Sequence, residues 1–393
     1  MKSRVRTCLI SLCLLIILPG CWDRVEINDV ALVAGTAIDK QGGEYEVTIQ
    51  IPLPGQMGGS SGGGGGGTAG SGMWYAESSR APTIREANEQ HQKRVSRELN
   101  FSHRRIFIIG EEVAKEGVAP IMDVTVRVPQ NRLSSLIAVT KGKAQEVLGA
   151  DAPIENLPSE MIRELTQNSM VHPPIIKNFV RILLREGIDP IIPYLSVVQT
   201  APGAEGKTQT TIQLEGMAVF NGDQMTGVLK GEQANALMMV MDEAPNPSVK
   251  VKPPRGEGEI VIQLQEIKVK LLPQKKGPHY HMNIRLQARG RITENESNFV
   301  ISNHREMEQL FNQTIQKNIE KSIDVLQHEY HSDPIGMGQL IRHRYKEDWE
   351  SLKTDWKEHY ARVKTNVDVQ ITIENTGSIT SKPFGYKEGE LIR

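Results

Sequence analysis

Four stretches of this chain alternate apolar and polar residues with a period of two, the mark of a half-buried strand. They are Tyr45 to Ile51, with Tyr45, Val47, Ile49 and Ile51 on one face, then Glu259 to Leu271, His279 to Arg291 and Val363 to Ile373. The apolar run Val30 to Ile38 leads through Gln41-Gly42-Gly43-Glu44 into the first of these, which predicts a hairpin at the glycines. Asn221-Gly222-Asp223, between Glu215 to Phe220 and Met225 to Leu229, predicts a second hairpin. A helix is expected over Thr83 to Arg97, opened by a Thr83/Glu86 capping box, with Ile84, Ala87, His91 and Val95 on one stripe. Met307, Leu310, Phe311, Ile315, Ile319, Ile323 and Leu326 mark one face of a long amphipathic helix. Ile341, Tyr345, Trp349, Leu352 and Trp356 repeat that spacing and predict another, with the tryptophans in the core. Arg105 to Ile109 and Leu136 to Val139 read as buried strands, and Glu111 to Glu116, Ser159 to Ser169, Ile175 to Glu186 and Glu232 to Met241 as helices.

Alternation of helix and strand at this spacing implies a mixed sheet covered by helices, and the fold class expected is α+β. Polar, proline-bearing stretches at Pro202 to Lys207 and Pro245 to Pro254 divide the chain into three mixed helix/sheet domains, at 21–201, 208–250 and 251–393. Gly55 to Gly72 holds eleven glycines in eighteen residues and is expected to be a mobile loop, since it has little to bury against its chain entropy. The P-loop pattern requires a Lys after its glycines; here Gly67 is followed by Thr68-Ala69, which argues against nucleotide binding.

The N-terminus changes the picture most. Lys2, Arg4 and Arg6 precede an uncharged run from Cys8 to Leu18, closed by Leu18-Pro19-Gly20-Cys21. A basic start, a short apolar stretch and small residues before a cut are the marks of an export signal, and the run is well short of the about 20 residues that span a bilayer. Leu-Pro-Gly-Cys is a lipobox, so residues 1–20 are expected to be a cleaved lipoprotein signal peptide, with lipidation at Cys21. Two acyl chains hold a protein on a membrane where one would not. The expected location is the outer face of a membrane. Cys8 and Cys13 lie inside the signal, so the mature chain keeps one cysteine, and that one is acylated, which excludes disulfides, thiolate metal sites and a cysteine nucleophile. With 46 basic and 47 acidic residues over 393 positions the chain also lacks the charge surplus of a nucleic-acid binder.

Candidate chemistry is thin. His328-Glu329-Tyr330-His331 with Asp333 has one residue too few between Glu and the second His for a metalloprotease helix, and Pro334 and Gly336 place it at a helix end. His279 and His281 face one side of a strand without an assigned acidic partner. Ser78-Ser79 and Ser134-Ser135 stand in no nucleophile elbow, and Glu111-Glu112 reads as a solvated first turn. No catalytic, cofactor-binding or metal-binding residue is assigned, no cofactor is expected, and the protein is not expected to be an enzyme.

The order of several motifs resembles the Ger(x)C family of spore germination lipoproteins, the C subunits of nutrient germinant receptors. These are Cys21-Trp22-Asp23-Arg24-Val25-Glu26-Ile27, Ala34-Gly35-Thr36-Ala37-Ile38-Asp39-Lys40, and Phe101-Ser102-His103 leading to Ile108-Ile109-Gly110-Glu111-Glu112. Gly216 to Phe220 leading to Gly227, Gly336-Met337-Gly338, Trp349, Trp356 and the closing Thr376-Gly377 continue the series. The resemblance implies a non-catalytic subunit anchored outside the spore inner membrane. It also implies two integral membrane partners, an A-type subunit and a transporter-like B-type subunit, and a response to small nutrients. It does not assign the nutrient. A solute-binding lipoprotein of a transport system is the alternative, and an envelope hydrolase a further one.

Overall fold

Burial on two faces or one decides which stretches alternate and which are solidly apolar. The computed structural model describes residues 26–53, 73–202, 208–253, 257–297 and 304–375. Its first part opens with β1 (Val30–Leu32), β2 (Gly35–Gln41) and β3 (Glu44–Pro52), then β4 (Trp74–Ala81), α1 (Ile84–Arg94), β5 (Glu98–Asn100) and β6 (Ile106–Gly110). There follow α2 (Glu111–Glu116), α3 (Ala119–Arg127), β7 (Leu136–Thr140), α4 (Ala144–Leu148), α5 (Pro158–Asn168), α6 (Ile176–Leu183) and β8 (Ile191–Gln199). The chain continues through β9 (Thr210–Asn221), β10 (Gln224–Leu229), α7 (Gly231–Val240), β11 (Ser248–Val251), β12 (Ile260–Lys276) and β13 (His279–Asn295). It ends with α8 (His304–His328), α9 (Met337–Arg344), α10 (Lys346–Leu352), α11 (Trp356–Ala361) and β14 (Lys364–Asn375). Helices and sheets are mixed throughout, as the α+β expectation has it.

Eight strands form the first sheet in the order β10-β9-β8-β7-β6-β2-β3-β4. Its centre is parallel, with β6 between β2 and β7 and β7 beside β8, and both flanks are antiparallel. Ile38, Phe107, Ile109, Ile137 and Val139 bury one face, while Ala37, Ile106, Ile108, Leu136 and Ala138 bury the other against α4 and α5. Central strands covered on both sides therefore read as unbroken apolar runs. Gly42 and Gly43 take φ of +61° and +86°, the two positive values that a tight hairpin turn requires, and so join β2 to β3. The apolar run Val30 to Ile38 is not one strand, however. It breaks at Val33-Ala34, and β1 leaves the sheet to pair with β5. Thr83 caps α1 as expected, its Oγ accepting from the Glu86 N–H at 3.2 Å.

The second sheet, β11-β12-β13-β14, carries helices on one face only. Met282, Ile284, Leu286 and Ala288 point inward against Met307, Phe311, Ile315, Ile319 and Ile323 of α8. The outward positions are polar and cross-linked, with Arg285 to Asp368 at 3.3 Å and Arg289 to Glu374 at 3.1 Å. That one-sided cover produces the alternation legible in the sequence.

The middle unit expected over 208–250 is divided between the two sheets. β9 pairs with β8 from Gln199↔Thr210 to Ile191↔Val219, so the hairpin completes the first sheet across the proline-bearing stretch at 202–207. β11, inside the expected Pro245 to Pro254 joint, opens the second sheet. Between them α7 packs Leu237 and Met238 with Met217, Val219 and Leu229 of the hairpin and Val325 and Leu326 of α8 in one apolar cluster. The expected long helix through Ile341 and Trp356 is three helices, α9 to α11, turned at Tyr345 (φ −128°, ψ 63°) and at Asp355.

The hairpin meets the turn just after α8 where Gly227 faces the Tyr330 ring: a Cβ there would lie 2.2 Å from it. Gly227→Ala should therefore destabilise the protein by about 1–3 kcal/mol through overpacking. In a Tyr330→Ala background the same change should cost much less, because the two residues share one space. Chemical denaturation of the four proteins checks this, and additive effects would break the inferred contact.

Candidate functional site at the joint between the two sheets

Cys21 and Trp22, the lipidation motif, lie outside the described residues, as does the glycine-rich stretch Gly55 to Gly72 and the closing Thr376-Gly377. Asp23 to Val25 also lie outside the described residues, and several of the other motif residues fall in two places. One is at the carboxyl ends of β2 and β6. Asp39 is buried there, and its Oδ1 and Oδ2 accept from the Ala144 and Gln145 N–H groups at 2.7 and 2.8 Å, closing the N-terminus of α4. A Cβ on Gly110 would come within 2.1 Å of Asp39 Oδ1, so glycine is required for the carboxylate to sit there. Glu111 is not the solvated residue expected. It is half-buried, accepting from Tyr194 Oη at 2.8 Å and pairing with Lys115 at 2.6 Å, while Glu112 is exposed.

The second place joins the two sheets, and three chain segments meet in it. Asp189, just before β8, donates its N–H to Asp333 O at 3.0 Å. Its Oδ2 accepts from Asp333 N at 2.8 Å and its Oδ1 from Gly222 N in the β9–β10 turn at 2.8 Å. Asp333 in turn accepts from Met337 N at 2.9 Å and Gly338 N at 2.8 Å, the first turn of α9, and from Trp356 Nε1 at 3.2 Å. Ser332 Oγ donates to Phe220 O at 2.5 Å, and Gln339 N to Gly187 O at 3.0 Å.

Glycines let these segments touch. A Cβ on Gly338 would lie 2.6 Å from Gly187 Cα, and one on Gly187 2.7 Å from the Trp349 ring, at a backbone φ of +72°. Trp349 and Trp356 are 1% and 7% exposed and close the joint from the second sheet, with ring centroids 5.3 Å apart. Trp349 Nε1 donates to Glu186 Oε2 at 3.1 Å across the same seam. Both tryptophans are core residues, as their helical spacing implied.

The remaining candidates do not converge. His328 faces Asp324 at 2.9 Å, the His331 ring faces Gln327 O at 3.1 Å, and Asp333 is turned the other way into the joint. His279 and His281 lie along β13, His281 opposite Lys364. Ser135 donates to Arg104 O at 2.6 Å, and Ser79 meets the buried His91 Nδ1 at 3.2 Å. Among the described residues, no group of three or more His, Cys, Asp and Glu is placed to hold a metal ion.

Two domains of one class of protein account for the length of this fold. Residues 23–197 match the spore germination protein N-terminal domain, and residues 215–377 the spore germination B3/GerAC-like C-terminal domain. The chain belongs to this family of spore germination proteins. It is 38% identical to YfkR of Bacillus subtilis (strain 168), a protein named for spore germination, over 96% of this chain and 98% of that one. Spore germination protein KC of the same organism is 26% identical over 95% and 97%. The crystal structure of the GerBC protein shares the fold, with a TM-score of 0.57, 18% identity and coverage of 87% of this chain and 97% of that one.

Truncating either tryptophan removes a buried ring from the joint, so Trp349→Ala and Trp356→Ala should each cost about 3–5 kcal/mol. Denaturant melts check it; unchanged stability would move the rings from core to contact surface. Asp333 carries a pH signature as well. Burial pushes its carboxyl up to about 7, against the pull of the Gly338 and Met337 N–H groups, and Asp189 raises it further. An unfolded aspartate ionises near pH 4. Between about pH 4 and 7 the folded chain thus holds a proton that the unfolded chain has lost, and this group's contribution falls as pH rises. The stability of wild type relative to Asp333→Asn should accordingly be greater at about pH 5 than at about pH 8. A difference that does not vary with pH would place the carboxylate at its ordinary value.

Proposed function

We propose that this protein is the lipid-anchored subunit of a spore nutrient germinant receptor. In this proposal a diacylglycerol on Cys21 holds it at the outer face of the cell or spore inner membrane. It acts by assembly with an A-type and a transporter-like B-type integral membrane subunit, and not as an enzyme. The observation that carries the proposal is the presence of both family domains on one chain, in order, matched nearly end to end by germination proteins. Relatives named B3 and A3, at 24% and 28% identity over 380 and 179 residues, support a receptor of several components. Leu18-Pro19-Gly20-Cys21 supports the anchor. No helix among the described residues is long and apolar enough to cross a membrane, so the lipid is the attachment the sequence offers.

A solute-binding lipoprotein would present two similar lobes around a cleft. Here the two sheets differ in strand number, order and cover, with eight strands against four, and the receptor proposal is preferred.

Replacing Cys21 by alanine should take the protein out of the membrane fraction or lead to its degradation, because the thioether chains are its stable attachment. Spores carrying only this variant should respond more weakly to a nutrient that wild-type spores answer. Full membrane retention of the variant in cells lacking the integral subunits would refute the lipid anchor.

A further inference from the structure

Between α1 and α3, over the face of the first sheet that bears Thr36, Ile38, Val47 and Phe107, lies a cavity of about 220 Å3. For scale, a cavity of about 150 Å3 is enough to bind benzene. Aliphatic and aromatic side chains share its lining with polar ones, among them the exposed Arg85–Glu89 ion pair at 3.2 Å, and three of its side chains hold buried polar atoms without a hydrogen-bond partner: Arg104 Nε, Asn88 Oδ1 and Thr36 Oγ1. Arg104 is the unusual one. It is 3% exposed, and among the described residues it forms no ion pair. Desolvation lowers its pKa to about 10, which leaves it cationic at neutral pH.

The arginine is fixed in place by neutral groups alone. Its backbone is pinned by the Ser135 hydroxyl at 2.6 Å, and its guanidinium lies over the Phe107 ring at 4.8 Å. Nη2 donates to Asn131 Oδ1 at 3.1 Å, and Asn131 Nδ2 donates to Thr125 O at 2.9 Å, so the acceptor end of that amide is the one facing the arginine. An arginine is taken out of water at a large cost unless an anion meets it. Guanidinium forks match carboxylates in charge and shape.

We propose that this cavity binds a small monocarboxylate with an apolar body, its carboxylate accepting from Arg104 Nε and its body lying among Ile38, Val47, Leu99 and Phe107. One buried cation suits one negative charge. The volume suits a body of branched-aliphatic or single-ring size, and the unpaired Thr36 hydroxyl offers a further donor in the same cavity. This site is separate from the joint and goes beyond the receptor assignment, on which it does not rest.

The test uses the full chain in detergent near neutral pH, with isovalerate, benzoate and the neutral amide benzamide as probes, read by calorimetry and ligand-observed NMR. At least one of the carboxylates should saturate a single site, and benzamide should bind at least tenfold more weakly than benzoate if benzoate is the one that fits. Arg104→Met, an apolar chain of similar length, should abolish carboxylate binding in the folded protein, although it also removes the donor to Asn131. Val124→Phe, which fills the cavity and leaves Arg104 in place, should abolish it as well. Failure of both carboxylates to saturate would overturn the proposal, as would binding that survives either substitution. Should Arg104→Met prove too unstable to assay, Val124→Phe alone decides.

Discussion

Direct backbone contact between Gly187 and Gly338 is the constraint on which the arrangement of the two sheets depends. Segments from opposite halves of the chain approach closely enough that a methyl group on either glycine would collide with the other segment. At that distance no water can serve the polar groups of the seam, so every N–H in it needs a protein acceptor. Two carboxylates supply them. Asp189 serves Asp333 and the β9–β10 turn, and Asp333 serves the start of α9 and the Trp356 indole. The tryptophans then exclude solvent from one side, and the apolar cluster of the hairpin, α7 and α8 from the other.

Much of the fold was legible because each sheet imposes a different pattern on its sequence. Single-sided cover of β12, β13 and β14 writes a period of two, and α8 writes its own face beside it. The double-sided centre of the first sheet gives the short apolar runs at β6 and β7. β8 was not legible, because Pro190 and Pro193 punctuate it and proline usually marks an edge or a turn. It is tolerated here since pairing with β7 begins only at Tyr194, beyond the missing N–H. The breaks at Tyr345 and Asp355 were equally hidden: no glycine or proline lies between Tyr345 and Trp356, and only the need to bring both rings to the seam turns the chain.

The candidate site was legible as residues but not as a mechanism. Gly336-Met337-Gly338, Trp349 and Trp356 stand out in the sequence by type and order, whereas Asp189, 144 positions from Asp333, looks like an ordinary acidic residue, and Asp333 stands out only beside the histidines, which it does not join. Nothing local distinguishes a surface aspartate from one that caps a buried helix, because the partners are backbone groups and carry no residue identity. Asp39 repeats the case: its two acceptors serve Ala144 and Gln145, and the only trace in sequence is the glycine at 110 that makes room for it.

A common device therefore emerges at both places: a buried carboxylate caps a short helix, and a glycine from another segment is stripped of its side chain to admit it. At Gly110 the glycine clears space for the carboxylate itself, and at Gly187 and Gly338 it clears space for the backbone that the carboxylate organises. Such sites tie segments together by charge-assisted hydrogen bonds that cannot be re-formed in a shifted register, in contrast to an apolar contact, which can slide and repack. A protein whose two sheets must keep one fixed arrangement gains more from that rigidity than from added burial. The conspicuous glycines are then explained as the clearance that two hidden aspartates demand.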